Sequence, residues 1–205
     1  MSITPSPMSS FASTGRRERN KQAKLQRIIA AAGELFTEHG VDDVTTQQIA
    51  DRADIGAGTL FLYAKTKGEL LLLVQNAHYA DALRRGQAAA QAQTDPLEAV
   101  MAVVTPIVEC NRSQIDNGRT YLREMVFGDP AEPHHAAALA IVAQTEDALA
   151  GIFGRDPRLT AADAATLARV ASAVMFLTMA ASTSLARGVN EITADIGHQL
   201  ALLLR

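Results

Sequence analysis

The sequence predicts an all-α protein in two parts, and three observations carry that prediction. Apolar residues recur at helical spacing through most of the 205 residues. Helix start and stop signals punctuate the chain at short intervals. No stretch alternates polar with apolar residues at the period of two that a half-buried strand needs, and no fixed-period repeat is visible. A chain of this length buries a substantial core as one or two domains. Its 48 % hydrophobic and 20 % charged residues exclude wholesale disorder. Cys110 is the single cysteine, which excludes an intramolecular disulfide and a cysteine-rich zinc module and points to a reducing cytoplasm.

Met1 to Gly15 is rich in Ser, Thr and Pro and lacks the basic and apolar regions of a secretory signal, so a disordered tail is expected there. Leu25, Ile28, Ile29, Ala32, Leu35 and Phe36 then mark one buried helix face, closing near His39 with Gly40 as the cap. Thr45 and Gln48 form a capping box that opens a short helix through Ile49, Ala50 and Ala53. Asp54, Ile55 and Gly56 interrupt it before a second apolar stretch at Leu60 to Leu62, giving helix, tight turn, helix. Gly58 costs this second helix about 1 kcal/mol relative to alanine, which close packing against Ala50 would explain.

Thr66 and Glu69 make another capping box, and a long helix is expected from Lys67 to about Gln93. Its run Leu70 to Leu73 with Val74 is apolar on more than one face, as where a helix joins two packed bodies. The boundary is therefore placed between a head, residues 1–66, and a body, residues 67–205. In the body, Asp95, Pro96 and Glu98 open a helix that contains Pro106 and should kink there. Further helices are expected over about Gly118 to Phe127, Pro133 to Phe153 and Thr160 to Arg187, with a last one opened by Asn190. The uncharged stretch Val170 to Ala186 barely reaches membrane-spanning length and is interspersed with Ser and Thr, so it reads as a buried protein helix.

Charge separates the two parts. Residues 1–67 carry 9 basic and 7 acidic side chains, whereas residues 68–205 carry 10 and 15, a cationic head before an anionic body. The net charge of −3 argues against a general polyanion binder. Six basic residues crowd into Arg16 to Arg27, either as phosphate or minor-groove contacts or as a solvated charge run.

Val41 to Leu70 resembles the DNA-binding segment of the TetR family of bacterial transcriptional repressors, and the resemblance reaches back to about Lys24. The matching features are T-T before I-A, G-T-L followed by an aromatic at Phe61 and by Tyr63, and the spacing of Lys67 to Leu70. This resemblance implies a homodimer on a palindromic double-stranded operator, released when a small molecule binds the body. It assigns DNA contact to Thr45, Thr46, Gln47, Gly56, Ala57, Thr59, Phe61, Leu62, Tyr63 and Lys67. Lys67 also fits on physical grounds, because a cation in the first turn of a helix opposes the helix dipole unless a phosphate arrives. A solvated surface lysine is the bland alternative.

This sequence departs from the family pattern at several positions. Asp54 replaces the tight-turn glycine, Gly56 and Ala57 open the recognition helix, Phe61 lacks a hydroxyl, and Leu62 and Ala64 replace polar or aromatic residues. Base readout would then lean on Thr59, on thymine-methyl contacts from Ala57, and on Thr46 and Gln47. A helical interaction protein that has lost specific DNA binding is the alternative that this apolar helix leaves open.

By the same analogy the last two helices form the dimer's four-helix bundle. The ligand pocket is expected among the middle helices, where Met101, Thr105, Tyr121, Met125, Phe127, Met175 and Met179 could line it. Plain core is the alternative for each. Grounds for an enzyme, a cofactor or a metal are lacking: His134 and His135 diverge by about 100° on a helix, and no phosphate loop or nucleophile elbow is present. Cys110 reads as a redox sensor or as inert packing.

Overall fold

The computed structural model describes residues 9–204, and these are helical throughout with short connections. Helices α1 (Ser9–His39), α2 (Thr46–Arg52) and α3 (Ala57–Leu60) build the head. The body comprises α4 (Lys67–Ala90), α5 (Pro96–Arg112), α6 (Ile115–Phe127), α7 (Pro133–Phe153), α8 (Ala161–Ala180) and α9 (Val189–Leu203). Of the expected N-terminal tail, residues 1–8 lie outside the described residues. From Ser9 onward the backbone is already helical, because the Arg, Lys, Gln and Ala residues that follow are strong helix formers and continue α1 backwards.

Local chemistry accounts for most boundaries. Gly40 stops α1 with φ +79°, a left-handed conformation that L side chains rarely adopt. Thr45 and Gln48 exchange both bonds of their capping box, as do Thr160 and Asp163. At the start of α4 only half of the expected box forms. Thr66 accepts from the Glu69 N–H, but the Glu69 carboxylate reaches the Lys65 N–H at 2.6 Å instead of closing on Thr66.

The helix expected to run to Arg187 ends at Ala180. A 3-10 turn at Ser182–Ser184 follows, and the buried Arg112 guanidinium donates to the Ser184, Leu185 and Arg187 carbonyls at 2.8–3.2 Å. The guanidinium thus satisfies carbonyls of the segment that replaces the last turns of the expected helix, a long-range cap with no local signal.

Two cores result. In the head, Ile28, Leu35, Phe36, Ile49 and Leu60 close on Leu70, Leu71 and Val74 from α4. In the body, Leu72, Tyr79 and Leu83 of the same helix join the apolar faces of α5 to α9. The leucine run thus serves both cores, as its all-round apolarity suggests, and α4 is a continuous strut between them. A Cβ on Gly86 would lie 2.8 Å from the Val103 Cα, so glycine there permits the close crossing of α4 and α5. Helices α7 and α8 are long and apolar enough to cross a bilayer by length and composition, yet they pack on one another and on α4 and α5.

Candidate functional site

The tip of the head combines a rigid frame with an open face. Asp54 takes φ 53° in the α2–α3 turn, a conformation that aspartate tolerates better than most residues. Arg27 of α1 donates to the Asp54 carbonyl and carboxylate at 3.3 and 3.2 Å, and Arg52 pairs with Glu34 at 3.0 Å. The Tyr63 hydroxyl donates to the Lys21 carbonyl at 3.3 Å. Lys67 donates from Nζ to the Val41 and Asp42 carbonyls at 3.1 and 2.8 Å, so its ammonium bridges α4 to the turn before α2.

The sequence-chosen residues cluster on this tip. Thr45 caps α2 and Gln47 bonds to Asp51 at 2.7 Å, while Thr46, Ala57, Thr59 and Tyr63 are half-buried. Gly56 is exposed, and Phe61 and Leu62 stand out at 47 % and 83 % exposure. The second helix of the motif is only one turn long, Ala57 to Leu60, and continues as turns through Tyr63. Gly58 does not pack against Ala50: it is exposed, and a Cβ built on it meets nothing within 4 Å. Among the basic residues of α1, Arg16, Arg17, Arg19, Lys21 and Lys24 lie on its solvent-facing N-terminal half.

Beyond the Lys67 bridge, two further polar links join head to body among the described residues, and sequence patterning missed both. Asn117 of α6 accepts from the Val41 N–H at 2.9 Å and donates to the Phe36 carbonyl at 2.7 Å, fastening the end of α1. His134, at the start of α7, donates from Nε2 to the Tyr63 carbonyl at 2.7 Å. Its own carbonyl accepts from Asn76, whose oxygen accepts from the Tyr121 hydroxyl at 2.9 Å. Tyr121 stacks on Tyr79 with centroids 4.6 Å apart, and the Tyr79 hydroxyl accepts from Asn111 at 2.7 Å. Burial raises the pKa of both tyrosines, so both hydroxyls stay protonated. The adjacent His135 turns elsewhere, donating to the Met125 carbonyl at 2.9 Å. The signal available in the sequence was a polar residue on an otherwise apolar helix face, which periodicity alone treats as noise.

The seven sequence-chosen pocket residues fall in different places. Tyr121, Met125 and Met175 meet Tyr79 and Thr145 around a small cavity of about 10 Å³. Met179 is buried in the same core. Met101 and Thr105 line an open depression beside Pro106 on the outer face of α5. Phe127 is 83 % exposed on the wall of a groove of about 700 Å³ between the end of α1, α6 and the end of α8. Burial pushes the Cys110 thiol up to about 12, so it stays protonated and unreactive at neutral pH.

A family model for bacterial regulatory proteins of the tetR family matches residues 28–74, which span the end of α1, both helices of the turn motif and the first part of α4. The head's turn motif thus matches the tetR-family DNA-binding segment. The tetR-type fold extends over the body as well. The chain superposes on Thermus thermophilus FadR, a TetR-family repressor crystallised with lauroyl-CoA, with TM-score 0.70 and 22 % identity over 88 % of this chain and 93 % of that one. A TetR regulator from Rhodococcus sp. RHA1 gives 0.69 and 21 %, covering 90 % and 97 %. One from Streptomyces coelicolor gives 0.65 and 21 %, covering 90 % and 95 %. Comparison with curated protein sequences gives no match.

Proposed function

We propose that the protein is a cytoplasmic, homodimeric, sequence-specific DNA-binding regulator, a repressor that a small molecule releases from a palindromic operator. The tetR-family head carries this reading, and the open face around Gly58 supports it. Nothing in the fold requires glycine there, whereas a backbone that must approach a phosphate or base edge closely does. The exposed cations along α1 supply the long-range attraction. Lys67, with its ammonium on two carbonyls, acts by fixing the head's frame and offers its remaining N–H to a phosphate.

The effector we infer is a largely apolar molecule with a few polar groups, entering the body core at Tyr121, Met125 and Met175. Methionines repack readily, so a cavity of about 10 Å³ can open around such a guest. The long acyl chain named for Thermus FadR is one chemistry of this kind. Displacing Tyr121 breaks its bond to Asn76 and, through His134, loosens the contact with Tyr63 in the head. Binding, rather than turnover, is the activity proposed.

The dimer face is assigned to α8, whose outward residues Val170, Ala173, Leu177 and Ala180 form an exposed stripe of small and apolar side chains. Of the last helix, which the resemblance also places in the dimer bundle through Ile192, Ile196, Leu200 and Leu203 or Leu204, the first three are buried within the single chain while Leu203 is exposed. The exposed Phe61 and Leu62 favour a second reading, a head that docks on protein. Selecting bound fragments from random or genomic DNA, with and without a metabolite extract, tests the proposal. It predicts one enriched palindrome that the extract releases, and indifferent or absent DNA capture would favour the protein-docking reading.

A further inference from the structure

The groove of about 700 Å³ between the end of α1, α6 and the end of α8 carries the three most exposed large apolar side chains among the described residues of the body: Phe127 at 83 %, Leu177 at 72 % and Val126 at 61 %. Exposed apolar residues scattered singly are ordinary, but a cluster on one groove marks an interaction surface. Phe127 ends α6 and lies outside the body core, so packing within the chain does not account for it.

The same groove holds charge of both signs. Asp42 and Asp43 of the α1–α2 turn, with Asp116 and Arg119 of α6, are exposed, and none of them forms an ion pair among the described residues. Such a surface is complementary to its own copy, because a two-fold axis can set Arg119 of each protomer against the aspartates of the other. DNA or an anionic ligand would instead meet those carboxylates as repulsion. Size points the same way. A stable interface takes about 800 Å² from each partner, roughly 20–30 residues. The outward stripe of α8, Val170, Ala173, Leu177 and Ala180, falls short of that alone, and its Leu177 and Ala180 also line the groove.

We propose that a second copy of this chain covers this groove, with Phe127 of each protomer seated in the groove of the other. The dimer interface then runs from the α8 stripe across Leu177 and Ala180 onto the end of α6, and reaches the α1–α2 turn of the facing head. This inference rests on the homodimer proposed above and extends its interface from body to head. The turn it reaches is the one that Asn117 and Lys67 hold at Val41 and Asp42, so each head is positioned by both protomers.

Sedimentation and fluorescence of the full chain test this. The sequence contains no tryptophan, so Phe127→Trp places a single reporter at the groove. Its emission should be blue-shifted and shielded from acrylamide in the dimer, then red-shifted and quenched on dilution or in combination with Ala173→Arg. Phe127→Ser should raise the dimer dissociation constant about tenfold or more, because two phenyl rings no longer leave water on assembly. It should leave the melting temperature of the Ala173→Arg monomer unchanged, since the ring is exposed in the single chain. Arg119→Glu should weaken the dimer at low salt, and less so at high salt. A reporter equally exposed in dimer and monomer would overturn the inference. So would a Phe127→Ser protein that dimerises as tightly as the parent while Ala173→Arg is monomeric, and that result leaves the α8 face standing. Saturable binding of laurate by the intact dimer, lost in Phe127→Ser, would put a small amphiphile in the groove and overturn it too. A dimer that survives Ala173→Arg and separates with Phe127→Ser would support the inference and move the interface off α8. A monomeric parent protein would overturn both readings.

Discussion

Head and body are both helical, but they are held by different kinds of contact, and the difference explains what each can do. In the head, short-range devices set the shape: the Thr45 capping box, the left-handed Gly40 and Asp54, and arginine links between neighbouring helices. Its tip is consequently rigid and leaves Phe61, Leu62 and Gly58 facing outward. The body is held by apolar burial threaded by a few long-range polar contacts, from Arg112 to the segment after α8 and from His134 through Asn76 to Tyr121. On the proposed reading such a region repacks around a guest, whose effect would reach the head through those few polar contacts.

The largest expected effect lies at the proposed dimer face. Ala173→Arg places a charge in the outward stripe of α8, on a residue exposed in the single chain, so folding should survive while the dimer separates. Sedimentation should show monomer, and operator affinity should fall on the order of 100-fold or more, since a single head loses the effective concentration supplied by its twin.

Next comes the fastening between the two regions. Asn117→Ala leaves the buried Val41 N–H without a partner and the Phe36 carbonyl with only the Gly40 N–H, and denaturant titration should show a loss of roughly 1–3 kcal/mol. An unchanged midpoint would mean that head and body are not joined there.

Within the head the effects are smaller. Thr45→Ala removes the cap of α2 and should cost about 1 kcal/mol by the same titration. Gly58→Ala should act in opposite directions on its two readouts. It stabilises the free protein by about 0.5–1 kcal/mol, because the new methyl meets open space on a helix, while weakening operator binding by crowding the backbone's approach. A variant gaining stability without losing affinity would move the DNA contact away from α3.

This contrast also shows why the two regions were unequally legible in sequence. Capping boxes, the cap glycine and the tight-turn aspartate are local, so the end of α1, the start of α5 and both limits of α2, α4 and α7 were placed close to those observed. The start of α1 at Ser9, by contrast, falls where a disordered tail was expected. The end of α8 depends on Arg112, some 70 residues away in sequence, and no local pattern signals it. The resemblance singled out a tip whose residues do cluster, although Gly58 was assigned to packing and proves open. Choosing Met and aromatic residues as pocket lining scattered them between a core cavity, an outer depression and an exposed groove, because residue type reports apolarity but not which helix face meets which neighbour. Asn117 and His134 were legible only as exceptions to periodicity.

The central claim, that the cationic head holds specific DNA through its phosphates, is tested most directly by measuring affinity for the selected palindrome over a range of salt concentrations. The account predicts that the logarithm of the binding constant falls linearly and steeply with the logarithm of salt concentration, while the palindrome keeps its advantage over random duplex at every salt. A flat dependence, or equal affinity for both DNAs, would contradict it.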